Sequence, residues 1–210
     1  MTPTPSPRGR FIVLEGGDGV GKSTQRALLG QWLEERGYEV VLTREPGGTE
    51  LGDLLRSALL HGGHVDARTE ALLFATDRAH HVHTVVRPAL ERGAMVVSDR
   101  YLDSSAAYQG AARELGMDEV RDLSLWATNH LLPDLTIVLD LDPEVAVARR
   151  EGAPDRLERE SLDFHRRVRA GFLLLAAADP ARYLVLDATK DPRELHAAIA
   201  GRVGELVGAP

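Results

Sequence analysis

Residues 11–24 read FIVLEGGDGVGKST. The apolar run Phe11–Leu14 has the length and composition of a buried strand. The chain then turns through Gly16, Gly17, Gly19 and Gly21, and Lys22-Ser23-Thr24-Gln25 opens a helical pattern. Gly16, Gly21, Lys22 and Ser23 satisfy the spacing G-x-x-x-x-G-K-[ST] between a strand and a helix, the setting in which that spacing has meaning. The stretch Gly16, Gly17, Asp18, Gly19, Val20, Gly21, Lys22, Ser23, Thr24 is therefore expected to cradle the phosphates of a nucleotide such as ATP.

The residue types explain the spacing. Glycine has no Cβ to keep phosphate oxygens from the backbone amides. The unpaired N–H groups at the start of the next helix, and its positive dipole end, attract an anion. Lys22 can reach the terminal phosphates, and the Ser23 hydroxyl can ligate Mg²⁺. A second ligand for that ion is expected at Asp99, which ends the apolar run Ala94-Met95-Val96-Val97. Strands also end in aspartate for capping or turn reasons, so this assignment leans on the loop.

At 210 residues the chain fits a single α/β domain with a substantial core. It has no cysteine, so disulfides and thiolate metal sites are excluded. No apolar run approaches the ~18 residues that cross a bilayer, so no membrane partner is expected. Met1–Arg10, rich in Pro, Thr and Ser, reads as a disordered lead-in without an apolar secretory segment. The net charge is −7, whereas a general nucleic-acid binder needs a basic face, so no nucleic-acid partner is expected.

Gln25–Gly37 reads as an amphipathic helix with Leu28, Leu29, Trp32 and Leu33 inward, and Glu39–Thr43 as a second strand. Strand, helix, strand in this order implies a parallel sheet. Helices are predicted at Leu51–Leu60 and Ala67–Leu90, strands at Gly93–Ser98 and Leu135–Leu141, and a helix start at Asp142-Pro143. Gly152-Ala153-Pro154 breaks that helix, and a long one is predicted from about Leu157 to Ala178. A last strand, Tyr183–Leu186, and a closing helix, Pro192–Val207, complete a single domain over 11–210. The pattern is α/β and doubly wound: a five-stranded parallel sheet flanked by helices, with ligands beyond the carboxyl ends of its strands.

Three further clusters carry chemistry. From Asp99 to Gln109 the chain holds Arg100, Tyr101, Ser104, Ser105, Tyr108 and Gln109, more polar function than a loop requires. An amide such as Gln109 can pair with a nucleobase edge, and Phe74, on one helix face with Arg78, is either a core residue or a stacking surface for a base. Arg149, Arg150, Arg156 and Arg159 flank the break at 152–154, forming either a solvated hairpin or a lid, about 149–157, that closes positive charge over a transferring phosphoryl group. His80, His81 and His83 lack further ligands at a metal-binding spacing and read as ordinary helix histidines.

EGGDGVGKST (15–24), TREPGGT (43–49), LLFATDRAHHV (72–82), DRYLDSSAAYQG (99–110) and DRLERESLDFHRRV (155–168) together resemble the thymidylate kinases of the bacterial kind. The resemblance runs from Phe11 to the C-terminal helix. It implies a three-layer P-loop NTPase fold and transfer of the γ-phosphoryl of ATP to dTMP, giving dTDP and ADP with Mg²⁺, in a cytoplasmic homodimer. By resemblance, Asp18 would bind the acceptor's 3′-hydroxyl, and Arg56, Arg78 and Arg100 would surround its 5′-phosphate, Arg78 also lying near the base edge. Phe74 would stack on thymine, Gln109 and Ser105 would read its polar edge beside Ser104, and Tyr108 would disfavour a ribose hydroxyl. Glu45-Pro46 would be a cis peptide lining the substrate site. Some relatives carry an arginine where this chain has Gly19, so the catalytic cations here would be Lys22, Arg100 and a lid arginine, Arg150 or Arg156. The open rivals are a kinase for another deoxynucleoside monophosphate, and a P-loop switch that binds nucleotide without transferring phosphate.

Overall fold

In the computed structural model, β1 (Phe11–Glu15) is buried along its whole length. Alternation along the strand sends Phe11 and Val13 to one face of the sheet and Ile12 and Leu14 to the other, so both faces must be covered. The chain is described over residues 8–149 and 152–208. From the loop after β1 come α1 (Lys22–Glu34), β2 (Val40–Arg44), α2 (Glu50–His61) and α3 (Ala67–His81). A π-helical turn, Val82–Val86, leads into α4 (Arg87–Glu91) and β3 (Met95–Asp99). Then follow α5 (Leu102–Ser105), a π-helical segment Ala106–Ala112, α6 (Met117–Ala127), β4 (Leu135–Asp140), α7 (Pro143–Ala148), α8 (Leu162–Ala178), β5 (Tyr183–Asp187) and α9 (Pro192–Val207).

The five strands lie in the order β2-β3-β1-β4-β5, every pair parallel. Ile12 and Leu14 pack with Leu29 and Leu33 of α1 and Ile199 and Val203 of α9. On the other face Phe11 and Val13 pack with Val82, Val86, Leu90 and Tyr101. A third cluster, with Phe74, Tyr108, Phe164 and Phe172, joins α3, the segment 106–112 and α8. Each of these side chains contributes about 1.5–3 kcal/mol on burial. The register sets Leu14 and Arg44 each opposite Asp99, so β1, β2 and β3 bring their carboxyl ends to one edge.

The helix predicted over 67–90 is helical to Glu91 but widens at Val82–Val86. Pro88, just beyond, has no N–H to return to the carbonyl of Thr84, and its ring would crowd a regular turn there. The helix predicted from Leu157 starts at Leu162, because Ser161 accepts from Phe164 N and caps it, while Asp155 closes a separate turn on Leu157 N and Glu158 N. Sequence analysis assigned no helix between 102 and 127, where three helical pieces stand. Of the expected lead-in, 1–7 lie outside the described residues; Gly9 N already donates to Leu90 O (2.9 Å) and Arg10 O accepts from Val96 N (2.8 Å).

Candidate active site

The loop between β1 and α1 winds through positive φ at Gly16, Gly19 and Gly21. At Gly16, with φ 131°, a Cβ would lie 2.5 Å from the carbonyl oxygen of Leu139, so only glycine lets the loop pass β4. Lys22, the first residue of α1, folds its ammonium back onto the carbonyls of Gly16 (3.2 Å) and Gly17 (2.5 Å). Burial, then Arg100 beside it, lowers its pKa against the pull of Asp99 and Asp18. Next to it Ser23 Oγ donates to Asp99 Oδ2 at 2.9 Å. Both oxygens border an open, polar cleft of about 970 Å³, whose walls carry Lys22, Arg26, Arg44, Arg56 and Arg100.

Arg100 follows β3 in the left-handed region, φ 71°, held by its own N–H donating to Leu14 O at 2.9 Å. That conformation is costly for a residue with a Cβ, and it turns the guanidinium back over the loop. Arg100 donates to Gly16 O (3.0 Å), to Ser104 Oγ (2.9 Å) and to Asp18, whose other oxygen accepts from Tyr108 OH at 2.9 Å. Burial alone would raise the Asp18 pKa, but Arg100 and Lys22 hold the carboxyl far below the usual range. Asp18 is thereby a fixed acceptor between two cations.

A second cleft, about 520 Å³, opens on the other side of this pair. Phe74, Arg78, Ser105, Tyr108, Gln109, Leu60 and Leu157 line it, and Asp18, Glu45, Arg56 and Arg100 border both clefts. The Glu45–Pro46 bond is cis. Pro46 O accepts from Arg56 Nη1 at 3.0 Å, which aims that guanidinium at the seam. Arg78 is fully buried and donates to Glu45 (2.8 Å), Ser105 Oγ (3.1 Å), Ser124 Oγ (3.0 Å) and Tyr101 O (3.0 Å). Phe74 belongs both to the core cluster and to the cleft wall. Ser104 lies near Arg100, and Gln109 donates to Glu70 at 2.7 Å.

Of the arginines around the break, Arg149, Arg156 and Arg159 do not converge on the loop. Arg149 Nη1 donates to Ala188 O (2.9 Å), Arg159 is exposed, and Arg156 donates to Leu59 O (2.8 Å) and Glu70 Oε2 (2.6 Å). Arg150 lies outside the described residues. His81, of the three neighbouring histidines, bridges Glu45 (Nδ1, 2.9 Å) and Thr43 Oγ1 (Nε2, 2.6 Å).

Comparison with known proteins identifies the family. The profile of the thymidylate kinase family matches residues 14–199. Thymidylate kinase of Clavibacter michiganensis is 61% identical over 96% of this chain and 97% of its own. That of Bifidobacterium longum is 54% identical over 94% and 98%. The crystal structure of thymidylate kinase from Ehrlichia chaffeensis, 32% identical, superposes with a TM-score of 0.79 over 94% of this chain and 99% of that one. The chain belongs to the thymidylate kinase family.

Sequence reasoning passed over three buried acids around this site. Glu15 accepts from Tyr101 N (2.8 Å), Ser104 N (3.1 Å) and Ser104 Oγ (2.6 Å), so it anchors the loop that presents Arg100. Burial foremost, then Asp103, pushes its pKa up to about 8. Asp77 accepts from Gly47 N at 3.1 Å behind the cis-proline loop. Glu70 gathers Gln109, Arg113 and Arg156. Glu15 alone left a signal, an acid closing a wholly apolar strand.

Proposed function

We propose that this chain transfers the γ-phosphoryl group of ATP to dTMP, giving dTDP and ADP on the way to dTTP. The observation that carries the reading is the seam: two clefts, one walled by cations around a phosphate loop, the other lined by Phe74, Tyr108 and an amide, share Asp18, Arg56 and Arg100. A γ-phosphoryl held on the loop and a 5′-phosphate entering from the second cleft would meet there. Such transfers ask the protein for alignment and charge neutralisation rather than covalent chemistry. Lys22 and Arg100 supply the charge, with a lid about 149–157 closing over it and bringing an arginine, Arg150 or Arg156. Arg156 would first have to leave Glu70.

Asp18 is suited to accept from a sugar 3′-hydroxyl, being ionised and facing both clefts. Tyr108, held by Asp18 and lining the same cleft, is the side chain we assign to disfavour a ribose 2′-hydroxyl. The Ser23 hydroxyl and Asp99 carboxylate are hard oxygen donors next to the cradle, and they fit Mg²⁺, which keeps its waters and takes one or two protein oxygens plus phosphate. Among the described residues no group of three or more His, Cys, Asp or Glu side chains could hold a metal ion. Bound there, Mg²⁺ would neutralise charge on the donor phosphates.

We further propose a cytoplasmic homodimer. No helix among the described residues is long and apolar enough to cross a membrane. Leu54, Leu72 and Trp126, on α2, α3 and α6, stay exposed although α3 packs between the other two, and a second copy would cover them. The deciding experiment is a coupled ADP-release assay with dTMP, dUMP, dCMP and dGMP. Turnover fastest on dTMP is expected. ATP binding without a diphosphate product from any of the four would leave a nucleotide switch instead.

A further inference from the structure

Glu70 stands in the first turn of α3, wholly buried, and no step of the transfer uses it. Its carboxylate accepts from Gln109 Nε2 (2.7 Å), Arg156 Nη1 (2.6 Å), and Arg113 Nε and Nη2 (each 3.3 Å). Arg113 also reaches Glu160 at 2.7 Å. A carboxylate paired with two guanidinium groups offers acceptors only. The amide of Gln109 must therefore turn its NH₂ to Glu70 and its carbonyl oxygen the other way. Gln109 lines the acceptor cleft with Phe74 and Ser105.

We infer that Glu70 is the positioning residue for base selectivity: by holding the Gln109 NH₂, it fixes a carbonyl acceptor in the cleft that suits a pyrimidine carrying N3–H and opposes one whose N3 is itself an acceptor. Thymine and uracil belong to the first kind and cytosine to the second. A site that leaves a buried acceptor facing another acceptor rejects the wrong base far more strongly than a lost apolar contact would. The same carboxylate holds Arg156, so the turn over 155–160 and the orientation of Gln109 share one anchor. The inference rests on the dTMP reading above and adds to it the residue that enforces the choice.

The test uses the full chain and compares kcat and KM for dTMP and dCMP in the wild type, in Glu70→Gln and in the exchange Glu70→Gln with Gln109→Glu. In Glu70→Gln the amide at 109 is free to turn over. The dTMP:dCMP ratio of kcat/KM is expected to fall at least tenfold, mostly through KM for dTMP, with KM for ATP within twofold. The exchange keeps one carboxylate beside Arg113 and Arg156 and restores an acceptor facing the base, so the ratio should return to within about threefold of wild type. A Glu70→Gln enzyme that loses stability and kcat equally for both substrates, ratio intact, overturns the inference. If that variant does not fold, the exchange decides alone, a preserved ratio supporting the inference and a collapsed one overturning it. Failure of the dTMP reading is separate, since it would appear as a wild-type enzyme inactive on dTMP.

Discussion

Lys22 gathers the donor end of the site into one charge. Its ammonium is already drawn into the loop by two carbonyls, and a triphosphate would replace them with phosphate oxygens at little cost in reorganisation. Lys22→Ala should therefore lower kcat/KM at least ~10²-fold, the loss expected on removing one transition-state charge. Steady-state kinetics check this, and near-wild-type turnover would remove Lys22 from the mechanism. Asp77 poses the opposite problem, a charge the fold does not welcome. One oxygen accepts from Gly47 N, the other is buried without a partner, and burial foremost, with Glu45 next, pushes the pKa up to about 7. The folded chain thus binds this proton more tightly than the unfolded one, so the contribution of Asp77 to stability is present at low pH and lost as pH rises from about 4 to about 7. Asp77→Asn keeps an acceptor for Gly47 N and removes that loss. Its stability relative to wild type should rise by roughly 2 kcal/mol between pH 5 and pH 7, read by urea unfolding. A constant difference across that range would show that Asp77 stays ionised.

At the scale of elements, α8 lies against the π-helical segment 106–112 that carries Tyr108 and Gln109, and the approach is set by Gly171. A Cβ there would stand 3.2 Å from Ala107 Cα and 3.3 Å from Ala111 Cβ. Gly171→Leu has to push the segment away, at a cost of about 1–3 kcal/mol for overpacking. The expected result is a KM for dTMP raised about tenfold, with KM for ATP changed less than threefold, because Tyr108 and Gln109 both line the acceptor cleft while the segment meets the phosphate loop through the Tyr108–Asp18 hydrogen bond. An equal rise in both would mean that the damage is global. The same region explains what the sequence made legible. The phosphate loop can be read because its parts are contiguous, and α9 because Asp191, Pro192 and a regular apolar face mark it. The segment Ala106–Ala112 is small residues wound in a π turn, a period that a search for 3.6 does not find. In α6 the apolar period is broken, since Ser124 is buried while Trp126 is 78% exposed. Glu70 and Asp77 were hidden for another reason. Their partners lie about 30 to 90 positions away, and a buried acid has no local pattern there. The cis bond at Pro46 was expected from family resemblance rather than from periodicity, and the roles proposed in the acceptor cleft rest on that resemblance too.

For the whole molecule, the arrangement matters more than the total charge. The chain is acidic, net −7, yet five basic side chains border the donor cleft. Anionic ligands are thus drawn to one place on a surface that otherwise repels them. Because the two clefts share Asp18, Arg56 and Arg100, a single molecule joining adenosine to thymidine through four or five phosphates should occupy both at once. Linking the two ligands removes the cost of bringing in the second one. At a hundredfold excess over its Kd such a compound adds about 2.7 kcal/mol to folding stability, which in a domain of this size raises Tm by roughly 5–10 °C. Thermal unfolding in the presence of the linked compound, against ATP plus dTMP at the same concentrations, measures the difference. The linked compound should give the larger shift, and Lys22→Ala should abolish most of it, since the polyphosphate then crosses a loop without its cation. Equal shifts from the linked and separate ligands would place the two clefts on independent sites, and the seam at Asp18 and Arg100 would lose its meaning as the place where phosphate changes hands.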